Sequence, residues 1–296
     1  MTRTALTVLL VAVLLCGSCS SPSPARPAAP HPRLVTFSPA LTHLAFAAGA
    51  GEHVVACTDR CLLPQGQQRP RVGDAVRVAA ERVALAEPDV LLAQTQPEQF
   101  DAVKRLLPEL RIEHFTIETL DDIAEALRRI GRLTGREPTA RAAAERFEAR
   151  IRAVRQRTAG LDRPRVLYVL GYDQLFVAGG RTFIDEMIAA AGGVNAGDPG
   201  RAHQRWRSVT LEQVVAARPE VILCQASENE RELALRRWQQ AGHIPAVRDG
   251  RVFVVCDRRW TIPGTWMAGF CEQLAEMLHG PAVGAPAGGQ EQEGAR

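Results

Sequence analysis

The sequence is poor in aromatic residues: Phe, Trp and Tyr together make up 5% of its 296 residues, and only two are Tyr. It also lacks a strong charge imbalance, since the formal net charge at pH 7 is +3. Basic segments interleaved with aromatic residues, which are typical of nucleic-acid-binding domains, do not occur. The composition therefore argues against a nucleic-acid partner, and its 46% hydrophobic content is typical of a globular protein.

The short motifs of several enzyme classes are missing as well. Gly49-Ala-Gly51 lacks the third glycine of a dinucleotide fingerprint, and there is no P-loop, HExxH or Gly-x-Ser-x-Gly motif. Asp121 and Asp122 are predicted at a helix start, where carboxylates favour the helix dipole, so we assign them to capping. We predict a protein that is not an enzyme and has no cofactor; an exported Rossmann-like enzyme is the alternative from another class.

The seven cysteines give limited guidance. Apart from Cys16 and Cys19 near the start, the sequence contains Cys57, Cys61 and, further on, Cys224, Cys256 and Cys271. These last five cysteines are an odd number, so at least one of their thiols is unpaired if no partner chain is involved. Cys57 and Cys61 are four residues apart without a second pair at zinc-site spacing, which leaves a local disulfide or buried thiols as interpretations and predicts no metal site.

The apolar run at the start of the chain, Ala5–Leu15, has eleven residues and is too short for a typical membrane-spanning helix. With Arg3 before it and small residues before Cys19, it predicts an export signal over residues 1–19. The end resembles a bacterial lipobox, although Cys16 stands where Leu is usual. We predict an extracytoplasmic protein that is lipid-anchored through Cys19, with simple secretion as the alternative, and a disordered Pro-rich tether over residues 20–32.

Strand and helix patterns alternate over residues 33–137 and again over residues 161–280, which predicts parallel sheets and two Rossmann-like lobes. Residues 138–160 separate them and predict one long bridging helix, with Pro138 in the first turn and Gly160 as the stop. Its apolar positions recur at spacings of three and four: Ala140, Ala144, Phe147, Ile151 and Val154. Residues 281–296 have no apolar period and predict a disordered tail.

The two predicted lobes repeat one another. Glu81 stands seven residues before Pro88, Glu212 stands seven residues before Pro219, and the offset between the copies is 131 residues. In each copy the proline ends a short helix and precedes a buried strand. A repeat of this length is too long for a solenoid and indicates two similar lobes.

Several motifs in this order resemble those of the periplasmic binding proteins that serve iron-chelate and vitamin B12 importers. They are Arg33-Leu-Val-Thr-Phe-Ser38-Pro39-Ala-Leu-Thr42, Pro70-Arg-Val-Gly73, Gly179-Gly180-Arg-Thr-Phe183, Ala191-Gly192-Gly193-Val-Asn195, Pro263-Gly264 and the two Glu…Pro segments. The resemblance extends over residues 33–280 and is closest to the cobalamin-binding members. It implies an α/β fold of two lobes bridged by a single helix, with the ligand between them and small closure.

The resemblance also implies partners. Family members deliver a small-molecule metal chelate to the permease and ATPase subunits of an ABC importer, and one glutamate on each lobe meets arginines of the permease. Those glutamates correspond to Glu81 and Glu212; the alternative is two solvated residues at helix starts. We further expect a monomer.

The aromatic residues are distributed unevenly, because all four Trp lie between residues 206 and 266 and both Tyr lie at 168 and 172. Trp206 matches a tryptophan with which cobalamin binders contact the corrin, so the resemblance favours a corrinoid ligand. The predicted ligand-binding residues are Ser38, Pro39, Arg60, Tyr172, Phe176, Trp206, Arg259, Trp260 and Trp266. Trp238 and Tyr168 are expected in the core.

Some positions depart from the cobalamin-binding pattern. Arg60, Ala75 and Gln94 stand where such a protein can carry aromatic residues in the first lobe. Four arginines flank the tryptophans of the second lobe: Arg201, Arg205, Arg258 and Arg259. Guanidinium groups bind carboxylates, so haem or a carboxylate siderophore is the alternative ligand. His43, Tyr172 and His203 are weighed as axial ligands to iron or cobalt against plain surface residues.

Overall fold

The computed structural model describes residues 31–198 and 205–281. The predicted export signal, Cys19, nearly all of the tether, Arg201, His203 and nearly all of the tail lie outside these residues, so those expectations stay predictions. Within the described ranges, we find no helix that combines the length and the apolar character needed to cross a membrane.

The N-terminal lobe has a four-stranded sheet in the order β2-β1-β3-β4, and every pairing in it is parallel. As predicted, strands alternate with helices, so the helices cover the faces of the sheet. The strands are β1 (Leu34–Phe37), β2 (Val54–Cys57), β3 (Val90–Ala93) and β4 (Arg111–His114). The helices are α1 (Pro39–Ala47), α2 (Ala80–Leu85), α3 (Asp101–Leu106) and α4 (Leu120–Thr134), with short 3₁₀ helices at Gly51–His53 and Pro97–Phe100.

The C-terminal lobe has a six-stranded mixed sheet, which corrects the expectation that it simply repeats the parallel scheme. Its order is β10-β9-β5-β6-β8, with β7 paired to β5; β6 runs antiparallel to both β5 and β8. The strands are β5 (Arg165–Leu170), β6 (Leu175–Ala178), β7 (Val194–Asn195), β8 (Trp206–Val209), β9 (Val221–Gln225) and β10 (Val252–Val255). The helices are α6 (Phe183–Ala190), α7 (Leu211–Ala217), α8 (Arg231–Gln239), α9 (Pro245–Arg248) and α10 (Met267–His279), with 3₁₀ turns at Glu228–Glu230 and Arg258–Thr261.

Helix α5 (Glu137–Thr158) joins the lobes and lies within one or two residues of the predicted bounds. Pro138 stands in its first turn, where the missing N–H costs no helical hydrogen bond. The predicted apolar stripe is its buried face: Ala140, Ala144, Phe147, Ile151 and Val154. The helix therefore forms because one face is covered along its whole length rather than through propensity alone.

The two lobes share a continuous hydrophobic core, which α5 crosses. Leu34 of β1 and Tyr168 of β5 both belong to this core, together with buried residues of α1, α4, α6 and α10. The alternate residues of the same strands face two separate outer clusters: Val35 in the N-terminal lobe and Val169 in the C-terminal lobe. Because one core extends through both lobes, closure by free hinge motion is disfavoured.

The repeat predicted from the sequence is visible in matching backbone details. The backbone N–H of Arg33 donates to Asp89 Oδ2 at 2.7 Å, and that of Arg165 donates to Glu220 Oε2 at 2.8 Å. Just before these acidic residues, Glu87 and Arg218 adopt positive φ angles of 44° and 46°. Non-glycine residues seldom adopt this conformation, so its recurrence at the 131-residue offset supports a duplicated unit.

Candidate functional site

A cavity of about 560 Å³ lies between the lobes. Its size falls within the range of small-molecule sites, which is roughly 300–1,000 Å³. The N-terminal lobe supplies most of the wall, and the C-terminal lobe supplies one side: Phe37, Ser38, Pro39, Ala40, Thr58, Arg60, Asp74, Ala75, Val76, Gln94, Thr95, Ile117, Phe183, Thr261, Ile262 and Pro263. Three of the predicted binding residues, Ser38, Pro39 and Arg60, are among them.

The position of the cavity follows from the parallel sheet of the N-terminal lobe. Ser38, Thr58 and Gln94 are the first residues after β1, β2 and β3. Since parallel strands all end at the same edge, these polar side chains meet there, as ligand-binding residues do in open α/β sheets. The same rule, applied to each predicted strand, identifies Thr58, Thr95 and Ile117 as candidate cavity residues. They were not among the predicted ligand-binding residues.

The start of α1 forms the polar end of the cavity. Ser38 is its N-cap, with the side-chain oxygen accepting from the backbone N–H of Leu41 at 3.3 Å, and Pro39 is the first helical residue. The Ser38 hydroxyl also donates to Gln94 Oε1, which leaves the amide nitrogen of Gln94 with two hydrogens to donate. A helix N-terminus favours a negatively charged group nearby, so this end suits an oxygen-rich or anionic part of a ligand.

One charged side chain of each sign lines the cavity. Arg60 follows β2, and its carbonyl accepts a hydrogen bond from Arg258 of the C-terminal lobe. Asp74 Oδ1 accepts from the backbone N–H groups of Val76 and Arg77, each at 2.9 Å, and these bonds hold the pKa of Asp74 below its ordinary value. Val76, an apolar residue of this turn, is 91% exposed and lines the cavity. It was not among the predicted ligand-binding residues.

At the lobe junction, His43 of α1 contacts Thr265 and Trp266 of the C-terminal lobe. The His43 ring lies 3.7 Å from the Trp266 ring between centroids, and its Nε2 accepts from the backbone N–H of Thr265 at 3.2 Å. Gly264 is required here, because a Cβ at that position would lie 2.6 Å from His43 Cδ2. His43 is not among the residues that line the cavity, and its Nε2 is used between the lobes, so the structure does not support His43 as an axial ligand there.

The pKa of His43 is lowered to about 3, first by burial and then by the positive charge of Arg259. In the unfolded chain this histidine takes up a proton near pH 6.5, whereas in the folded chain it stays neutral until about pH 3. The free energy of unfolding therefore decreases as pH falls from 6.5 toward 3. The loss from this group between neutral pH and pH 5 is about 2 kcal/mol. Urea unfolding from pH 7 to pH 5 should show a shallower pH dependence for His43→Gln; an identical slope in both proteins would contradict this assignment.

Further polar contacts connect the lobes. The carboxylate of Glu186 on α6 accepts from the backbone N–H of Leu120 at 2.6 Å, and Arg205 forms an ion pair with Glu118. Burial raises the pKa of Glu186. These contacts hold the lobes at several points around the cavity, which is consistent with the expected small closure.

Phe176 and Trp206 lie within strands of the mixed sheet and form an aromatic pair. Their rings are parallel within 5° at a centroid distance of 6.1 Å, and Tyr168 contacts the Trp206 ring edge-on at 6.3 Å. Phe176 is 37% exposed and Trp206 is half-buried. Neither Phe176 nor Trp206 is among the residues that line the cavity, although both were predicted to bind the ligand. Arg205, the residue before Trp206, forms an ion pair with Glu118, which follows the cavity residue Ile117.

The structure corrects part of the predicted aromatic site. Trp260 is 2% exposed and stacks on Phe270 at 4.6 Å, so it belongs to the core rather than the cavity. Tyr172 packs against the outer cluster of the C-terminal lobe and lines a separate small pocket with Trp238. Gly171, at a φ of +82°, turns the chain after β5.

Trp266 and Arg259 also lie outside the cavity wall. Trp266 is half-buried against His43, and its Nε1 donates to Ile262 O at 2.7 Å, so it supports the cavity residue Ile262 from behind. Arg259 is exposed, binds Asp257 and lies 6.0 Å from the Trp266 ring. The expected core positions of Trp238 and Tyr168 agree with the structure, where they are 2% and 0% exposed.

Glu81 and Glu212 occupy corresponding positions in the two lobes, each in the first turn of a short helix, and both are exposed. A hydrogen bond with Thr210 lowers the pKa of Glu212, so it is ionised at neutral pH. Neither residue lines the cavity, so any role they have lies on the outer surface.

Two α/β lobes, one bridging helix and a pre-formed cavity between them define a ligand-binding protein. The chain belongs to the periplasmic binding protein family, whose model matches residues 34–258. Family members are substrate-binding transport proteins and not enzymes, as predicted. The family also fits the predicted extracytoplasmic location, whereas lipidation of Cys19 stays a prediction.

The chain is similar to proteins of two ligand types. A vitamin B12-binding protein of Yersinia pestis (strain Pestoides F) is 26% identical over 224 residues, which cover 75% of this chain and 79% of that protein. The vitamin B12-binding protein BtuF of Vibrio cholerae matches with a TM-score of 0.71 and 24% identity, over 84% of this chain and 97% of that chain. The heme-binding protein RhuT from Roseiflexus sp. RS-1 matches with a TM-score of 0.72 and 25% identity, over 86% and 99%. These matches confirm the predicted fold class.

Proposed function

We propose that this protein is the extracytoplasmic binding component of an ABC importer and that it captures a corrinoid such as cobalamin. The cavity between the lobes is the binding site, and its wall supplies the polar groups of Ser38 and Gln94 together with apolar surface from Val76, Ile117 and Ile262. The aromatic pair Phe176–Trp206 of the C-terminal lobe does not line the cavity, but it has a flat, partly exposed face that we propose the macrocycle contacts.

The choice of a corrinoid rests on the described part of the cavity wall, which offers no axial ligand. Among the described residues that line the cavity, none is His, Tyr, Cys or Met. Haem iron in proteins is normally held by one of these side chains, whereas cobalamin carries its own axial base. Of the candidates considered from the sequence, His43 is used at the lobe junction, Tyr172 lies in another pocket, and His203 is outside the described residues.

Haem is the second candidate ligand, and a specific observation favours it. Arg60 and the N-terminus of α1 lie on the same cavity wall, and both attract carboxylates such as haem propionates. Cobalamin has amides in place of most such acid groups, so it gains less from a guanidinium.

The variant Arg60→Ala separates the two candidates. For a corrinoid we expect less than a threefold change in affinity, because no carboxylate depends on the guanidinium, whereas a haem propionate would lose a charge-assisted hydrogen bond, about tenfold or more in Kd. Tryptophan-fluorescence titrations with cyanocobalamin, cobinamide and haem measure both. Arg259→Ala is the matched control, since Arg259 is bound to Asp257 outside the cavity wall. If the wild type binds haem and Arg60→Ala loses that affinity, the assignment of a corrinoid as the ligand is wrong.

We further propose that the loaded protein docks on the importer's permease through Glu81 and Glu212, one from each lobe. The support is their equivalent, exposed positions and their absence from the cavity wall. Two charges at a fixed separation set the register of a docking partner, although each exposed pair contributes little free energy alone.

A further inference from the structure

Two cysteines lie directly behind the cavity wall. Cys57 is the last residue of β2, and Cys61 follows the segment that contributes Thr58 and Arg60 to the cavity. Both side chains are buried, at 0% and 6% exposure. Thr42 Oγ1 and Thr58 Oγ1 each lie 2.9 Å from Cys61 Sγ, so the sulfur sits in a polar environment rather than an apolar one.

The two cysteines are held close to each other. Arg71 Nη1 lies 3.3 Å from Cys57 Sγ and 3.3 Å from the carbonyl oxygen of Cys61, and it donates to the carbonyl of Thr58 at 2.7 Å. The backbone N–H of Cys61 donates to the carbonyl of Thr58 at 3.1 Å, which turns the chain back toward Cys57. One guanidinium therefore fixes both ends of the segment.

The chemistry of the pair is asymmetric. The hydrogen bond between the two sulfurs, with burial, raises the pKa of Cys57, and the same bond lowers the pKa of Cys61 to about 6. Cys61 is therefore the more acidic of the two thiols and the better placed to attack as a thiolate. Buried structural thiols in an apolar core behave differently: burial raises the pKa of Cys271.

We propose that Cys57 and Cys61 form a disulfide that fixes the cavity-wall segment between them. The family places the protein in the periplasm, a compartment in which disulfides form and persist. The bond forms by exchange with the disulfide of an oxidising protein or small molecule: Cys61 thiolate attacks one sulfur of the oxidant and expels the other as a thiolate. Cys57 then gives up its proton to that thiolate and attacks Cys61 Sγ, which breaks the bond between Cys61 and the oxidant and expels the oxidant's second sulfur as a thiolate. The cysteine pair loses two electrons, and the oxidant is reduced to a thiol and a thiolate, the latter taking a proton from water.

The bond has a consequence for the site. The segment between the cysteines carries Arg60, whose carbonyl accepts from Arg258 of the opposite lobe. A cross-link behind it limits the positions of Arg60 and Thr58, and pre-organising a binding surface in this way lowers the entropy lost on ligand binding. This consequence rests on the proposed function, whereas the disulfide itself does not.

Trypsin offers a direct test, because it cleaves after Arg60, between the two cysteines. The mature protein is isolated from its compartment with acid quenching, alkylated and digested without reduction. Residues 34–60 and residues 61–71 should then be recovered as one cross-linked species that separates on reduction. Recovery of both peptides alkylated, or linked to Cys224, Cys256 or Cys271, would overturn the proposal.

A double variant, Cys57→Ser with Cys61→Ser, tests the fixing role, and Cys256→Ser is the matched control. Relative to the oxidised wild type, the double variant should show a Tm about 5 °C lower, as expected for loss of a short cross-link, and the control should not. Its cyanocobalamin Kd should rise about threefold or more through lost pre-organisation. An unchanged Tm would refute the fixing role. A wild type that carries the cross-linked peptide but binds no cyanocobalamin would refute the proposed ligand and leave the disulfide standing.

Discussion

Replacing Glu81 and Glu212 together with Ala is expected to reduce uptake of the ligand to background while leaving its affinity for the isolated protein unchanged. The two carboxylates are exposed at equivalent points of the two lobes and lie outside the cavity wall. Losing both carboxylates removes the pair of charges that would orient the protein on the permease. Both charges are replaced because one of them alone would still hold one lobe in place. Uptake of radiolabelled cyanocobalamin by cells that depend on this protein measures the effect, and titration of the purified variant measures the affinity.

The matched control for this experiment replaces two other exposed glutamates: Glu109, in the turn between α3 and β4, and Glu145, on α5. The control removes the same charge, so a general electrostatic effect on association would appear in both double variants. Loss of ligand affinity in the Glu81/Glu212 variant would place these residues in the binding site. Full uptake by that variant would show that the permease uses another surface.

Trp206→Ala should weaken corrinoid binding by about thirtyfold, which corresponds to roughly 2 kcal/mol. Trp206 presents a large half-buried ring, held parallel to Phe176 and edge-on to Tyr168, so its contact surface is already ordered before the ligand arrives. An alanine leaves Phe176 without its stacking partner and removes the flat face. Isothermal titration with cyanocobalamin measures the change.

Trp238→Ala is the control for this prediction, because Trp238 is 2% exposed in the outer cluster of the C-terminal lobe. Its truncation should lower the free energy of unfolding by about 3–5 kcal/mol and leave the affinity of the folded protein nearly unchanged. If Trp206→Ala binds cyanocobalamin like the wild type, the aromatic pair is not part of the site and the corrinoid would have to lie elsewhere in the cleft.

The fold could be predicted because its signals are local and repeated. The strands β1, β2 and β3 begin and end where the apolar runs of the sequence do. In α5, the apolar residues that recur every three or four positions form the buried face. The 131-residue offset indicated two lobes, and the matching positive φ angles of Glu87 and Arg218 show the same repeat in the backbone.

The candidate site was predicted less well, since it depends on which face of a sheet a residue occupies. Phe176 and Trp206 fall in strands of four residues, which are too short for their period to show. The strand of Phe176, β6, also runs antiparallel to both of its neighbours, contrary to the expected parallel scheme. Trp260 follows β10 as a ligand contact would, yet its ring stacks on Phe270 of the next helix, α10. Side-chain type alone could not distinguish a core tryptophan from a binding one.

The most direct test of the account is equilibrium binding of cyanocobalamin to the mature protein, with haem as the competitor. We predict one corrinoid bound per protein with a micromolar or lower Kd, and no displacement by equimolar haem. Micromolar or tighter haem binding together with no detectable corrinoid binding would contradict the proposed ligand.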